Sequence, residues 1–237
     1  MTTEHVPVDD SEVLRNILAT TDALLLDFDG PICAVFANLS AQNVANQLRG
    51  VLTDSGYVDL PRCVKETSDP FCVLNHAATL GAEEADSVEA SLRALELEAV
   101  SDATPTPEAK RLIQACAAAG LPIAIVSNNS TQAIQAYLER QSIASAVGTI
   151  SGRRNADVSL LKPDSYLVAQ AASELGVSTK SSVMIGDSTS DMTAIATVGG
   201  TGIGFVNKHR KTKTLAEAGA HALVTDLSII AVILEAA

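Results

Sequence analysis

Residues 23–31 read ALLLDFDGP, an unbroken apolar run that delivers Asp27 and Asp29 one residue apart, with Gly30 and Pro31 behind them. A short continuous apolar run of this kind suits a parallel strand covered on both faces. Two carboxylates do not belong in such surroundings unless they have work there. The two-residue period of a strand aims Asp27 and Asp29 toward the same side. The stretch therefore reads as a buried, rigid mount for a polar site.

The same pattern recurs at residues 121–127 (LPIAIVS), 182–187 (SVMIGD), 201–206 (TGIGFV) and 222–226 (ALVTD). Helical spacing of apolar residues between these runs predicts helices over 107–119, 131–140, 164–175, 191–196 and 212–218, with a lead-in helix over 11–19 behind the acidic pair Asp9 and Asp10. Strands alternating with helices imply the α/β class, a three-layer, Rossmann-like parallel sheet with helices on both faces. One interval breaks the rhythm. Between about residues 32 and 106 no buried strand is evident, and helices are expected over 38–52, 71–80 and 83–100. The reading is a core domain formed by residues 1–32 and 106–237, with an inserted α-helical cap domain at 33–105.

Composition narrows the function. Of 237 residues 47% are hydrophobic, and 28 acidic against 16 basic residues leave a net charge of -12. That charge disfavours nucleic acid and anionic membrane as partners. The cysteines Cys33, Cys63, Cys72 and Cys116 fall at no metal-ligand spacing, which suits reduced thiols in a cytoplasmic protein. The first 22 residues lack the basic and apolar segments of a leader. The longest apolar stretch, 115–126, is broken by Gly120 and Pro122 and is too short to span a bilayer. A soluble cytoplasmic protein is expected.

Open parallel sheets bind ligands beyond the carboxyl ends of their strands. The polar residues expected there are Asp27 and Asp29, then Ser127 and Asn128, then Asp187 and Asp191 in GDSTSD, with Lys162 in LLKPD opening the helix before the third strand. Converging carboxylates repel one another unless a cation neutralises them. Mg²⁺ meets that need with few protein ligands and keeps positions for water and a phosphate oxygen. Ser127, Asn128 and Lys162 then form the cradle of a phosphoryl group.

In this order DFDG, IAIVSNN, LKPD and GDSTSD resemble the four motifs of the haloacid dehalogenase superfamily, in its phosphatase branch with a helical cap after the first motif, as in phosphoglycolate phosphatases. The resemblance implies a Mg²⁺-dependent phosphatase acting on a small phosphorylated metabolite. In it Asp27 is the nucleophile and forms an aspartyl-phosphate, and Asp29 is the general acid and base and lends the metal its backbone carbonyl. Asp27 and Asp187 hold Mg²⁺ with Asp191 near them, Ser127 binds the phosphoryl oxygens, and Lys162 offsets their charge. Pro31 departs from the family's usual threonine.

Competing readings are a phosphomutase of the β-phosphoglucomutase kind, a dehalogenase, and a catalytically silent binding homologue. Asp191 also suits a helix N-cap. Residues 33–105 carry eleven acidic and four basic residues, a net charge of -7, poor equipment for holding a second phosphate. Arg49, Arg62 and Lys65 are the cap residues to examine for substrate contact. Cys33 reads as a buried thiol, and the basic run 207–213 (NKHRKTK) as a solvated loop.

Overall fold

A computed structural model describes residues 6–236; residues 1–5, where the absence of a leader was expected, lie outside them. Helix α1 (Ser11–Leu18) opens on Asp10, whose side chain accepts from the amides of Glu12 and Val13. Strand β1 (Ala23–Leu26) follows, buried at every position. The short strands β2 (Cys33–Ala34) and β3 (Thr104–Pro105) pair antiparallel. Between them lie α2 (Ala41–Asp54), α3 (Arg62–Glu66), α4 (Pro70–Leu80) and α5 (Ala82–Ser101).

The alternating part resumes with α6 (Ala109–Ala118), β4 (Ile123–Ser130), α7 (Thr131–Arg140), β5 (Thr149–Arg153) and α8 (Tyr166–Leu175). It ends with β6 (Ser182–Gly186), α9 (Thr189–Thr197), β7 (Thr201–Phe205), α10 (Lys211–Glu217), β8 (Ala222–Val224) and α11 (Ser228–Glu235). Six strands form one parallel sheet in the order β5-β4-β1-β6-β7-β8. The chain leaves β1 for β4 and β5 on one side and returns to β6 on the other. The order therefore reverses beside β1, where such sheets open a crevice.

The apolar run in β1 is continuous because both faces are covered. Leu24 and Leu26 join a cluster with Leu14, Leu112, Ile134 and Ile230, from α1, α6, α7 and α11. Leu25 points the other way, into a cluster that contains Leu48, Leu74 and Leu92 of α2, α4 and α5 together with Val168 of α8. The inserted helices thus share apolar packing with one face of the sheet. Among the described residues no helix is long and apolar enough to cross a membrane.

Five α-helices and strands escaped the sequence reading. Strands β2 and β3 have two residues each, too few for a period. Helix α3 is a single short turn, and α11 was hidden in a C-terminal run, SIIAVILE, that is apolar nearly all round. Strand β5 (TISGR) ends in a charged residue, and its burial depends on partners far away in sequence. Arg153 is 1% exposed in its side chain and forms a fork to Glu96, Nη1 to Oε1 at 3.1 Å and Nη2 to Oε2 at 2.8 Å. Its Nε donates to Glu89 at 3.2 Å. Both glutamates belong to α5, so buried charge ties the inserted helices to the edge of the sheet.

Removing one partner from a buried ionic group leaves the others uncompensated, at a cost of about 3–5 kcal/mol. Arg153→Met should lower unfolding stability by that order in urea titration. Glu89→Gln should cost less in the Arg153→Met background than in the unaltered chain. Strictly additive effects would mean that the two side chains are not coupled.

Candidate active site

Every polar residue expected from the motifs lies at the carboxyl end of the sheet. Asp27 follows β1 directly, and its amide is held by the carbonyl of Ile185 on β6 at 3.0 Å. Between the two aspartates Phe28 turns inward, fully buried, and meets Tyr137 edge-on with ring centroids 5.3 Å apart. That anchor holds the loop while Asp27 and Asp29 face the cavity.

Two glycines explain how the motifs close on each other. Gly30 has φ +118°, and a Cβ there would lie 2.5 Å from Cγ of Asp187. A Cβ on Gly186 would lie 2.4 Å from Cβ of Asp191. No other residue lets these carboxylates pack against the two loops. Pro31 is buried behind Gly30; the structure gives no reason for it over threonine.

The carboxylates do converge. Asp27, Asp187 and Asp191 each offer an oxygen within 4.8 Å of the others'. Lys162 stands among them, its ammonium donating to Asp27 Oδ1 at 2.8 Å, to Asp191 Oδ1 at 2.6 Å and to the carbonyl of Val126 at 2.8 Å. Burial works against the Lys162 charge, but Asp191 and Asp27 outweigh it and hold the ammonium above its usual range. Asp27 is pushed up to about 7 by burial and by the charge of Asp191, with Lys162 opposing and Asp187 adding to the rise. Asp29 is raised to about 6, mainly by burial, while the amide of Val35, donating to its Oδ1 at 2.9 Å, draws it back.

Asp191 does two jobs through two oxygens. Oδ1 takes Lys162, and Oδ2 accepts from the amide of Ser188 at 3.0 Å and its hydroxyl at 2.6 Å. It is the third residue of a capping box at the start of α9, with Ser188 as the N-cap. Asp191 is therefore not itself the N-cap. Helix α8 begins at Tyr166, not at Lys162, because Asp164 turns its carboxylate onto the Tyr166 amide at 2.7 Å.

Asn128 locks the carboxyl end of β4 to the Lys162 loop, accepting from the Lys162 amide at 2.8 Å and donating to the Lys162 carbonyl at 3.0 Å. Ser127 donates to Asn129 Oδ1 at 3.1 Å. Asn129 in turn donates to Glu96 at 3.0 Å, and Arg153 donates to the carbonyl of Asn128 at 2.7 Å. Asn129, Glu96 and Arg153 were missed in the sequence because nothing local marks them. Glu96 braces the end of β4 from the inserted helix α5, and Arg153 does so from β5.

The basic run 207–213 is not wholly a solvated loop. Asn207 donates to Asp187 Oδ2 at 2.6 Å, and Lys211 forms an ion pair with the same oxygen. The placement of β7 beside β6 carries this segment back over Asp187. Cys33 is buried as expected, and burial pushes its thiol far above the usual range. Arg49, Arg62 and Lys65 do not line the cavity. Arg49 donates to the carbonyls of Val64 and Thr67, Arg62 pairs with Glu66, and Lys65 pairs with Asp59.

The cavity holds about 390 Å³ and is lined by Asp27, Asp29, Ser127, Lys162 and Asp187 on the sheet side. Its opposite side is formed by Asp69, Phe71 and Asn75, at the start of α4. Among the described residues no hydrogen bond reaches Asp27 Oδ2 or Asp187 Oδ1. These are open oxygens suited to a hard cation.

The chain is similar in fold to several solved structures. A predicted phosphatase from Clostridium acetobutylicum is 15% identical, with a TM-score of 0.68 over 89% of this chain and 96% of that one. A predicted phosphoglycolate phosphatase from Haemophilus somnus is 17% identical, with a TM-score of 0.63 over 90% and 98%. A haloacid dehalogenase family hydrolase from Deinococcus radiodurans, solved with bound phosphate and sodium, is 23% identical, with a TM-score of 0.56 over 89% and 93%. No curated protein matches the sequence. The sequence profile of haloacid dehalogenase-like hydrolases matches residues 21–199, well over half of the chain, and the chain belongs to that family.

Proposed function

We propose that the protein is a Mg²⁺-dependent phosphatase that hydrolyses a small phosphate monoester through an aspartyl-phosphate on Asp27. The observation that carries the reading is the convergence of Asp27, Asp187 and Asp191 around the buried Lys162, with Asp29 beside them in one cavity. The raised Asp27 carboxyl fits a site built to include a further cation. The open oxygens of Asp27 and Asp187 would hold Mg²⁺, together with the Asp29 carbonyl. When bound, the ion neutralises crowded carboxylates and phosphoryl oxygens. Phosphate bound in the fold-related Deinococcus hydrolase is in keeping with this reading.

In the first step an Asp27 oxygen attacks phosphorus as the ester oxygen departs, and Asp29 gives that oxygen its proton. In the second Asp29 takes a proton from water, the water oxygen attacks phosphorus, and inorganic phosphate leaves as the Asp27 carboxylate is restored. Lys162 stays charged throughout and keeps Asp27 oriented. Ser127 binds the equatorial oxygens, the positioning on which phosphoryl transfer depends. Residues 33–105 serve as the cap domain over a core of residues 1–32 and 106–237. The pairing of Glu96 with Arg153 holds that cap against the phosphate loop.

Asp27→Asn should abolish phosphate release from p-nitrophenyl phosphate while circular dichroism stays unchanged; a variant that retains turnover rules out Asp27 as the nucleophile. Chelation should silence the native enzyme, and added Mg²⁺ should restore it.

Asp29 must carry a proton to release an alkoxide. With its carboxyl near 6, the protonated fraction falls as pH rises through that value. For an alkyl phosphate kcat/KM should therefore decline above about pH 6. Asp29→Asn should lose about 10²–10⁴-fold and remove that limb. A flat alkyl-ester profile from pH 6 to 8 would take Asp29 out of the acid role.

A further inference from the structure

The two halves of the cavity differ in chemistry. Among the described residues Lys162 supplies the one ammonium or guanidinium in its lining, and all three of its protons are already engaged, by Asp27, Asp191 and the Val126 carbonyl. The side formed by the inserted helices has no cation to offer. The four basic residues of 33–105 are occupied elsewhere: Arg49 on carbonyls, Arg62 on Glu66, Lys65 on Asp59 and Arg93 on Glu89.

What that side does present is acceptors. Asp69 uses Oδ1 to cap α4 through the Phe71 amide at 2.9 Å. Asn75 spends one amide proton on the Phe71 carbonyl at 2.8 Å. Among the described residues Asp69 Oδ2 and Asn75 Oδ1 accept nothing. Phe71 lies between them in sequence, its ring set by the Arg153 guanidinium 5.7 Å from the centroid. The Phe71 ring already has its cation in Arg153, and the carboxylate and the amide oxygen beside it suit another. They repel a second phosphate or a carboxylate.

The geometry points to a phosphate monoester of an amino alcohol, whose ammonium is received by Asp69 and Asn75 while its phosphoryl group sits at Asp27. The inference rests on the phosphatase reading and adds the substrate class. A cavity of about 390 Å³ suits a short alcohol of this kind. Asp69 is the residue that sets the preference, since it carries the charge that the inserted helices bring to the lining. The inference departs from phosphoglycolate, whose free carboxylate would meet Asp69.

The test uses three esters that share a phosphate and a two-carbon skeleton and differ in their terminal group: 2-aminoethyl phosphate, 2-hydroxyethyl phosphate and carboxymethyl phosphate. Phosphate release with Mg²⁺ at pH 7 should give kcat/KM falling in that order, by about tenfold or more from first to last. Asp69→Asn keeps the side-chain acceptor that caps α4 and should shrink the ratio of the first ester to the third at least several-fold. Comparing that ratio between variant and native chain cancels the intrinsic reactivity of the esters. Turnover of the carboxymethyl ester equal to that of the aminoethyl ester, or a ratio indifferent to Asp69→Asn, overturns the substrate class. With p-nitrophenyl phosphate still hydrolysed, either result leaves the phosphatase reading standing. If neither this aryl ester nor any of the three releases phosphate, the phosphatase reading falls and the substrate class falls with it.

Discussion

The Lys162 ammonium, buried between Asp27 and Asp191 and bonded to the Val126 carbonyl, is the contact on which the rest of the site depends. It joins the end of β1, strand β4 and the first turn of α9 through one point charge. Without it two buried carboxylates would face each other across a low-dielectric crevice, and at least one would take up a proton. The same charge orients Asp27 and keeps Asp191 in place as the brace of α9. A compact ammonium with three protons matches the three acceptors around it.

Around that centre the carboxylates divide their labour by what else they touch. Asp191 has its oxygens engaged by Lys162 and Ser188, yet lies within 4.8 Å of the Asp27 and Asp187 oxygens. Asp27 and Asp187 each keep an oxygen open. Asp29 is set apart by its bond to the Val35 amide and by burial, which holds its carboxyl near 6, inside the range where an acid can both give and take a proton. Four aspartates of the same chemistry thus differ in role because their neighbours differ.

A second layer of buried charge supports the first. Arg153, Glu89 and Glu96 link helix α5 to strand β5, and their remaining bonds run to Asn128, Asn129 and the Ser130 amide at the carboxyl end of β4. The segment that closes the cavity also braces the loop that would bind the phosphoryl group. Its open rim, meanwhile, exposes Asp69 and Asn75 with no cation beside them. One inserted segment therefore bonds to the carboxyl end of β4 on one side and lines the cavity on the other.

The parallel sheet, its helical insertion and the aspartates at strand ends were legible in the sequence because each rests on a local signal: an apolar run with a polar end, a helical period, a glycine after an aspartate. Burial on both faces of a strand forces the apolar run. The close approach of Asp187 to Gly30 and of Asp191 to Gly186 forces the glycines. Other features have no local signal. That Arg153 is buried, that Lys211 and Asn207 turn back onto Asp187, that Asp191 spends both oxygens, and that Arg49, Arg62 and Lys65 face away from the cavity depend on which elements the fold brings side by side. A charge chooses its partner by distance, and the distances between residues 96 and 153, or 187 and 211, exist only once the sheet has assembled and the insertion has packed against it.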